Sequence, residues 1–180
     1  MKKKLLALGL ACAALFAGHD AMATDLEITA QATIAQPITL TKDSNNTYGS
    51  TSGNLSFGTI IPGDSYGFVT ITPMDEIGTN YDISTNSNIT VSGNYGTAIF
   101  TVNGSPDTEI DIGVPESDVY LINESDNEKY LSATIHQPHG HFTLDETGRA
   151  VIGIGGELTV PDTAATGTYT GTFSVSVNYQ

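Results

Sequence analysis

Apolar and polar residues alternate in short runs along most of this chain, with turn-forming residues between the runs. Successive side chains on a strand point to opposite faces, so a period of two marks strands that bury one face. The clearest run closes the sequence. Phe173, Val175, Val177 and Tyr179 alternate with Ser174, Ser176 and Asn178. A chain terminus frays unless something holds it, so this pattern predicts a C-terminal strand packed into a sheet. A second run lies near the start. Leu26, Ile28, Ala30, Ala32 and Ile34 alternate with Glu27, Thr29, Gln31 and Thr33, Pro37 interrupts, and the pattern resumes over 38–41. A polar stretch rich in Asn, Ser and Gly follows. Further strands are expected at 55–60 and 66–72, turned by Pro62-Gly63-Asp64, and at 81–84, 89–92, 97–103, 108–113, 119–123, 131–136, 150–154 and 158–160. Many short strands without a helical stretch or internal repeat predict one all-β sandwich or barrel. Its expected core includes Phe57, Phe100, Val102, Phe173, Val175 and Val177.

The first 23 residues depart from this pattern and read as a signal peptide. Lys2, Lys3 and Lys4 form a charged start, residues 5–18 are apolar, and Ala21-Met22-Ala23 is a small-residue cleavage site. The apolar stretch is too short to anchor the chain across a bilayer. Cys12 lies inside it after Gly9-Leu10-Ala11, a poor lipidation signal. The mature domain is therefore expected to span residues 24–180 and to be exported to the periplasm, the cell surface or a fimbrium. Cleavage would remove the one cysteine, so stability has to come from an ordinary core and not from disulfides. About 150 residues suffice for that.

Charge narrows the partners. The full chain carries a formal charge of −14. In the mature form Lys42, Lys129 and Arg149 would face nineteen carboxylates, a net of −16. Nucleic acid and anionic membranes would be repelled. The five Asn-x-Ser/Thr sequences, such as Asn88-Ile89-Thr90, would matter only in a glycosylating host.

Several segments then carry a resemblance. They are 55–63, reading Leu-Ser-Phe-Gly-Thr-Ile-Ile-Pro-Gly; 98–104 with 112–115; and 144–148, 155–161 and 167–180, the last containing Gly167, Tyr169, Phe173, Val175, Val177 and Tyr179. In this order they resemble a family of small exported bacterial proteins catalogued as a domain of unknown function. The Leu-x-Phe-Gly segment and the ending also look like the spore-coat-U and archaic chaperone–usher pilin group. The resemblance implies an immunoglobulin-like antiparallel β-sandwich and, more loosely, a subunit of a pilus or surface filament. Pilins of that group commonly carry a disulfide near the start of the domain, which this chain cannot form.

Two elements bear on assembly. The segment Leu26, Ile28, Ala30, Ala32 and Ile34 has the pattern needed to complete a neighbour's sheet by strand addition, and equally the pattern of a first strand in its own domain. The ending Phe173, Val175, Val177 and Tyr179 would be held by a periplasmic chaperone in the first case and would simply close the sheet in the second. Self-association or a chaperone is the expected partner of the strand-addition reading. A self-contained secreted or periplasmic sandwich with an unknown partner is the other.

Ligand chemistry is sparse. His136, His139 and His141 form the one cluster with metal-ligating side chains. Pro138 and Gly140 between them predict a solvent-exposed turn with weak, adventitious metal affinity. Glu124, Asp126 and Glu128 alternate with Asn123, Ser125 and Asn127 but lack the central glycine and downstream glutamate of a calcium loop. Gly153-Ile154-Gly155-Gly156 is followed by neither Lys-Ser/Thr nor a helix, so it is no phosphate loop and marks a bulge or a close backbone approach. No nucleophile elbow, zinc-hydrolase helix motif or cysteine nucleophile is present. An enzyme is not expected, and no cofactor is implied.

Overall fold

A computed structural model describes residues 31–32, 34–43, 52–74, 82–86 and 88–180. Ile34–Gln180 forms one compact unit. Its strands, in chain order, are β1 (Thr39–Lys42), β2 (Ser56–Ile61), β3 (Gly67–Ile71), β4 (Ile83–Thr85), β5 (Thr90–Gly96), β6 (Ala98–Asn103), β7 (Glu109–Gly113), β8 (Val119–Asn123), β9 (Asp126–His136), β10 (Phe142–Thr143), β11 (Arg149–Val160), β12 (Tyr169–Thr170) and β13 (Ser176–Tyr179). All pairings are antiparallel, and no helix occurs among the described residues. The sandwich read from the sequence is the observed fold.

One strand organises it. β11 runs for twelve residues. On one edge it pairs with β6, from Arg149↔Asn103 to Ile154↔Ala98, and then with β9, from Gly155↔His136 to Leu158↔Ala133. On the other edge it pairs with β3, from Gly156↔Ile71 to Val160↔Gly67. The path β1-β6-β11-β9-β8-β12, with β3 and β4 attached, makes the large layer. A two-stranded sheet, β2-β5, and a three-stranded one, β10-β7-β13, make the rest.

The even-numbered side chains of β11 feed two core clusters. Leu158 and Val160 pack with Phe57, Val69, Ile71, Ile89, Leu131 and Ala133. Ala150 and Ile152 pack with Val102, Ile110 and Leu144. Ile154 lies between these groups with Ala98 and Ile135. On the opposite face of β11, Val151 is buried against Met74 and Ile99.

The sequence predicts two strands, 150–154 and 158–160, where the structure has one. The break in hydropathy at Gly155 and Gly156 is a packing feature and not a turn. A Cβ at Gly155 would lie 2.2 Å from the Ile71 carbonyl oxygen and 2.6 Å from the Pro73 nitrogen. Only glycine lets the β3 backbone approach that closely. β9 begins at Asp126, five residues before its first buried apolar side chain, Leu131. The acidic run thus belongs partly to a strand: hairpin pairing with β8 is a backbone matter and needs no apolar side chain beside the turn. Of the expected core, Phe57 and Val102 are buried, whereas Phe100, Phe173, Val175 and Val177 are half-buried.

Candidate assembly site along the C-terminal strand

The ending of the chain is divided. β12 pairs with β8 through Tyr169↔Asn123 and Thr170↔Ile122. β13 pairs with β7, from Ser176↔Gly113 to Tyr179↔Ile110. The continuous strand expected from Phe173 onwards is therefore only four residues long, because the chain passes from one sheet to another between Thr170 and Ser176. Phe173 and Val175, in that crossing, still direct their side chains to the cluster of Ala98, Ile135 and Ile154. Val177 and Tyr179 reach the cluster of Val102, Ile110, Leu144, Ala150 and Ile152.

All four C-terminal apolar residues stay half-buried, while Ile110, directly across from Tyr179, is 1% exposed. The difference has a topological cause. β7 has neighbours on both sides, whereas β13 ends its sheet, and among the described residues it pairs with β7 alone. Among the described residues, one backbone edge of β13, the strand bearing Val177 and Tyr179, lacks a covering strand. An edge of this kind is a template for another extended segment.

Tyr179 also ties the start of the domain to its end. Its hydroxyl donates to the Gln36 carbonyl at 2.7 Å and accepts from the Ser105 N–H at 2.7 Å, and the Gln36 N–H donates to Ser105 Oγ at 2.8 Å. The three bonds close a ring. Gly104 makes room for it: a Cβ there would stand 2.4 Å from the Tyr179 oxygen and 2.9 Å from Leu144 Cδ1. Sequence reading found Tyr179 as an apolar strand residue and missed Gln36, Gly104 and Ser105. Gly104-Ser105-Pro106 signals a turn, but nothing in the pattern says that a tyrosine 74 residues later docks on it.

Of the N-terminal alternating segment, Leu26, Ile28 and Ala30 lie outside the described residues. Ala32 and Ile34 are outside any strand and exposed, Ile34 at 96%.

The histidines do not converge. His136 ends β9 and is half-buried, contrary to the exposure expected of it, because β9 continues to that point along β11. His139 and His141 lie in the exposed link to β10, with His141 Nδ1 2.9 Å from Gln180 Nε2. Pro138, between His136 and His139, is buried, so the link packs onto the domain more closely there than a solvated turn. Among the described residues, no group of three or more His, Cys, Asp or Glu is placed to hold a metal ion. Glu124, Asp126 and Glu128 are exposed around the β8–β9 turn. That turn is built on buried Asn123, whose Oδ1 accepts from the Ser125 N–H at 2.9 Å and whose Nδ2 donates to the Thr166 carbonyl at 3.3 Å.

Two carboxylates sit in hydrogen-bond cradles. Asp145 is held below its ordinary range by the Thr147 hydroxyl foremost, and then by the Arg149 backbone N–H, in the turn before β11. Asp118 is lowered by the Ser132 hydroxyl and next by that of Thr134, at 2.6 and 2.8 Å. Both shape local structure.

These features define an antiparallel β-sandwich whose C-terminal strand ends a sheet with one edge uncovered among the described residues. The family described as domain of unknown function DUF4402 matches residues 38–179, and the chain belongs to it. No curated protein and no solved structure matches.

Proposed function

We propose that this protein is a structural subunit of a bacterial surface filament or pilus-like assembly, exported by its first 23 residues and joined to its neighbour by β-strand addition. The segment bearing Leu26, Ile28, Ala30, Ala32 and Ile34 of one copy lies along the free edge of β13 in the next. The observation that carries this reading is the combination of that edge with half-buried Phe173, Val175, Val177 and Tyr179. An added strand would satisfy main-chain donors and acceptors and cover the exposed flanks of these side chains. The family match begins at Ile38, so the segment lies outside the matched domain, as a detachable connector should. Before assembly a periplasmic chaperone occupies the same edge.

A second reading has one observation in its favour. The Gln36–Tyr179 bond holds the base of the segment against its own domain, which suits a self-contained secreted sandwich with an unknown partner. Neither reading involves catalysis.

Deleting residues 24–35 separates the two. In the filament reading, the melting temperature of the monomer is unchanged and high-order species disappear from size-exclusion chromatography and electron micrographs. Ile28→Asp does the same, since a charge entering an apolar groove unpaired is costly. A deletion that unfolds the monomer, with a parent protein that stays monomeric at high concentration, defeats it.

A further inference from the structure

The outer face of the β8–β9 hairpin carries exposed aromatic surface that neither the core nor the β13 edge uses. Tyr120 and Tyr130 are 57% and 58% exposed, with ring centroids 5.1 Å apart and planes at 81°. Tyr120 is opposite Ser132 and Ile122 is opposite Tyr130, so all four residues share the face away from Leu121 and Leu131. Ile122 is 37% exposed and extends the patch. Asp118, two residues before Tyr120, accepts from Ser132 and Thr134 on the same face. Those bonds, that of Ser132 foremost, hold its carboxyl below the ordinary range. Glu128, two residues before Tyr130, is exposed and lies where the pairing of β9 with β8 is irregular, its N–H donating to Asp126 Oδ1 at 3.1 Å. The patch thus joins two exposed aromatic rings to the Asp118 carboxylate.

We infer that this face binds a cationic segment of a partner protein, with arginine or lysine side chains seated on Tyr120 and Tyr130 and paired with Asp118. A ring face attracts a cation through its quadrupole, and a nearby carboxylate adds direct attraction. Charge selects the class of partner. A second copy offers this face few cations, because the chain has six basic residues against twenty acidic ones. Among the described residues its cations are Lys42, Lys129 and Arg149, of which Lys42 bonds Asn54 and Arg149 bonds Thr101. An anionic membrane or nucleic acid is repelled. The inference is independent of how the subunits join.

The test uses the purified protein and a fluorescent nonapeptide alternating arginine with glycine, followed by anisotropy over a salt series. Any acidic protein attracts such a peptide, so the informative variants leave charge untouched. Replacing Tyr120 and Tyr130 together by Ala should weaken binding about tenfold. Tyr66→Ala removes an equally exposed ring, 60% accessible, beside the β2–β3 turn, and should leave binding within about twofold. Tyr130→Leu keeps apolar bulk and removes the ring, and should also weaken binding, which guards against a misfolded double variant. Equal binding by the wild type and the tyrosine variants overturns the inference. So does absence of binding to the wild type, or retention of a neutral oligosaccharide on this face in place of the peptide.

Discussion

The Tyr179 hydroxyl donates a 2.7 Å hydrogen bond to the carbonyl of Gln36, a residue 143 positions earlier. The bond places the exit of the N-terminal segment beside the end of the C-terminal strand. In the proposed assembly by strand addition, the base of the donor segment and the end of the acceptor strand would meet at this one side chain.

Tyr179→Phe tests how much this contact holds. It keeps the ring in the cluster of Ile110 and Leu144 and removes the hydroxyl bonds to Gln36 and Ser105. The expected loss is about 1 kcal/mol, the net worth of ordinary hydrogen bonds, read as a lower urea midpoint at unchanged slope. An unchanged midpoint would mean that water replaces both partners without penalty.

Gly104→Ala should cost more, about 2 kcal/mol, because the added methyl collides with the Tyr179 oxygen and with Leu144. Combined with Tyr179→Phe, the loss should be smaller than the two single losses together, since the removed oxygen is one of the clashing atoms. Strict additivity in the double-mutant cycle would place the strain elsewhere.

Two phenylalanines should separate by burial. Phe57 is 7% exposed and packs with Val69, Ile71 and Leu158, and Phe57→Ala should destabilise by about 3–5 kcal/mol. Phe173 is half-buried in the crossing before β13, and Phe173→Ala should cost about 2 kcal/mol. Equal losses in equilibrium unfolding would show that the crossing is as well covered as the core.

Acid should weaken the domain through Asp145 and Asp118. Both carboxyls sit below their ordinary value of 3.8 in the folded protein. Their stabilising effect is therefore complete well above that value and is lost as pH falls through it and lower. Asp145→Ala should lower the melting temperature at neutral pH, and its difference from wild type should shrink on acidification below about pH 4. A difference that stays constant to pH 2 would show that the turn is stabilised without the charge.

Side-chain alternation carried most of the fold. The strand expected at 119–123 is the observed β8, and Phe57 and Val102 are core as read. The pattern failed where backbone geometry overrides hydropathy. Gly155 and Gly156 looked like an interruption because close approaches by the chain at the end of β3 and by β9 exclude side chains there. Phe173 and Val175 alternate as a strand does, yet they cross between sheets. Their alternation records which side faces the core, and hydrogen bonding need not follow it. For the candidate site, Val177 and Tyr179 were legible as inward-facing. The edge beside them, uncovered among the described residues, was not, because strand order depends on pairings distant in sequence.

β11 has a consequence for the order in which the molecule takes shape. Its partners β3, β6 and β9 all precede it, and its side chains enter both main core clusters. A polypeptide is made from the N-terminus, so most of the chain exists before either cluster can be finished. Until Arg149–Val160 emerges, the strands that will flank it present bare edges, the condition under which nascent β-proteins aggregate. Those central edges are covered only when the eleventh strand slides between them.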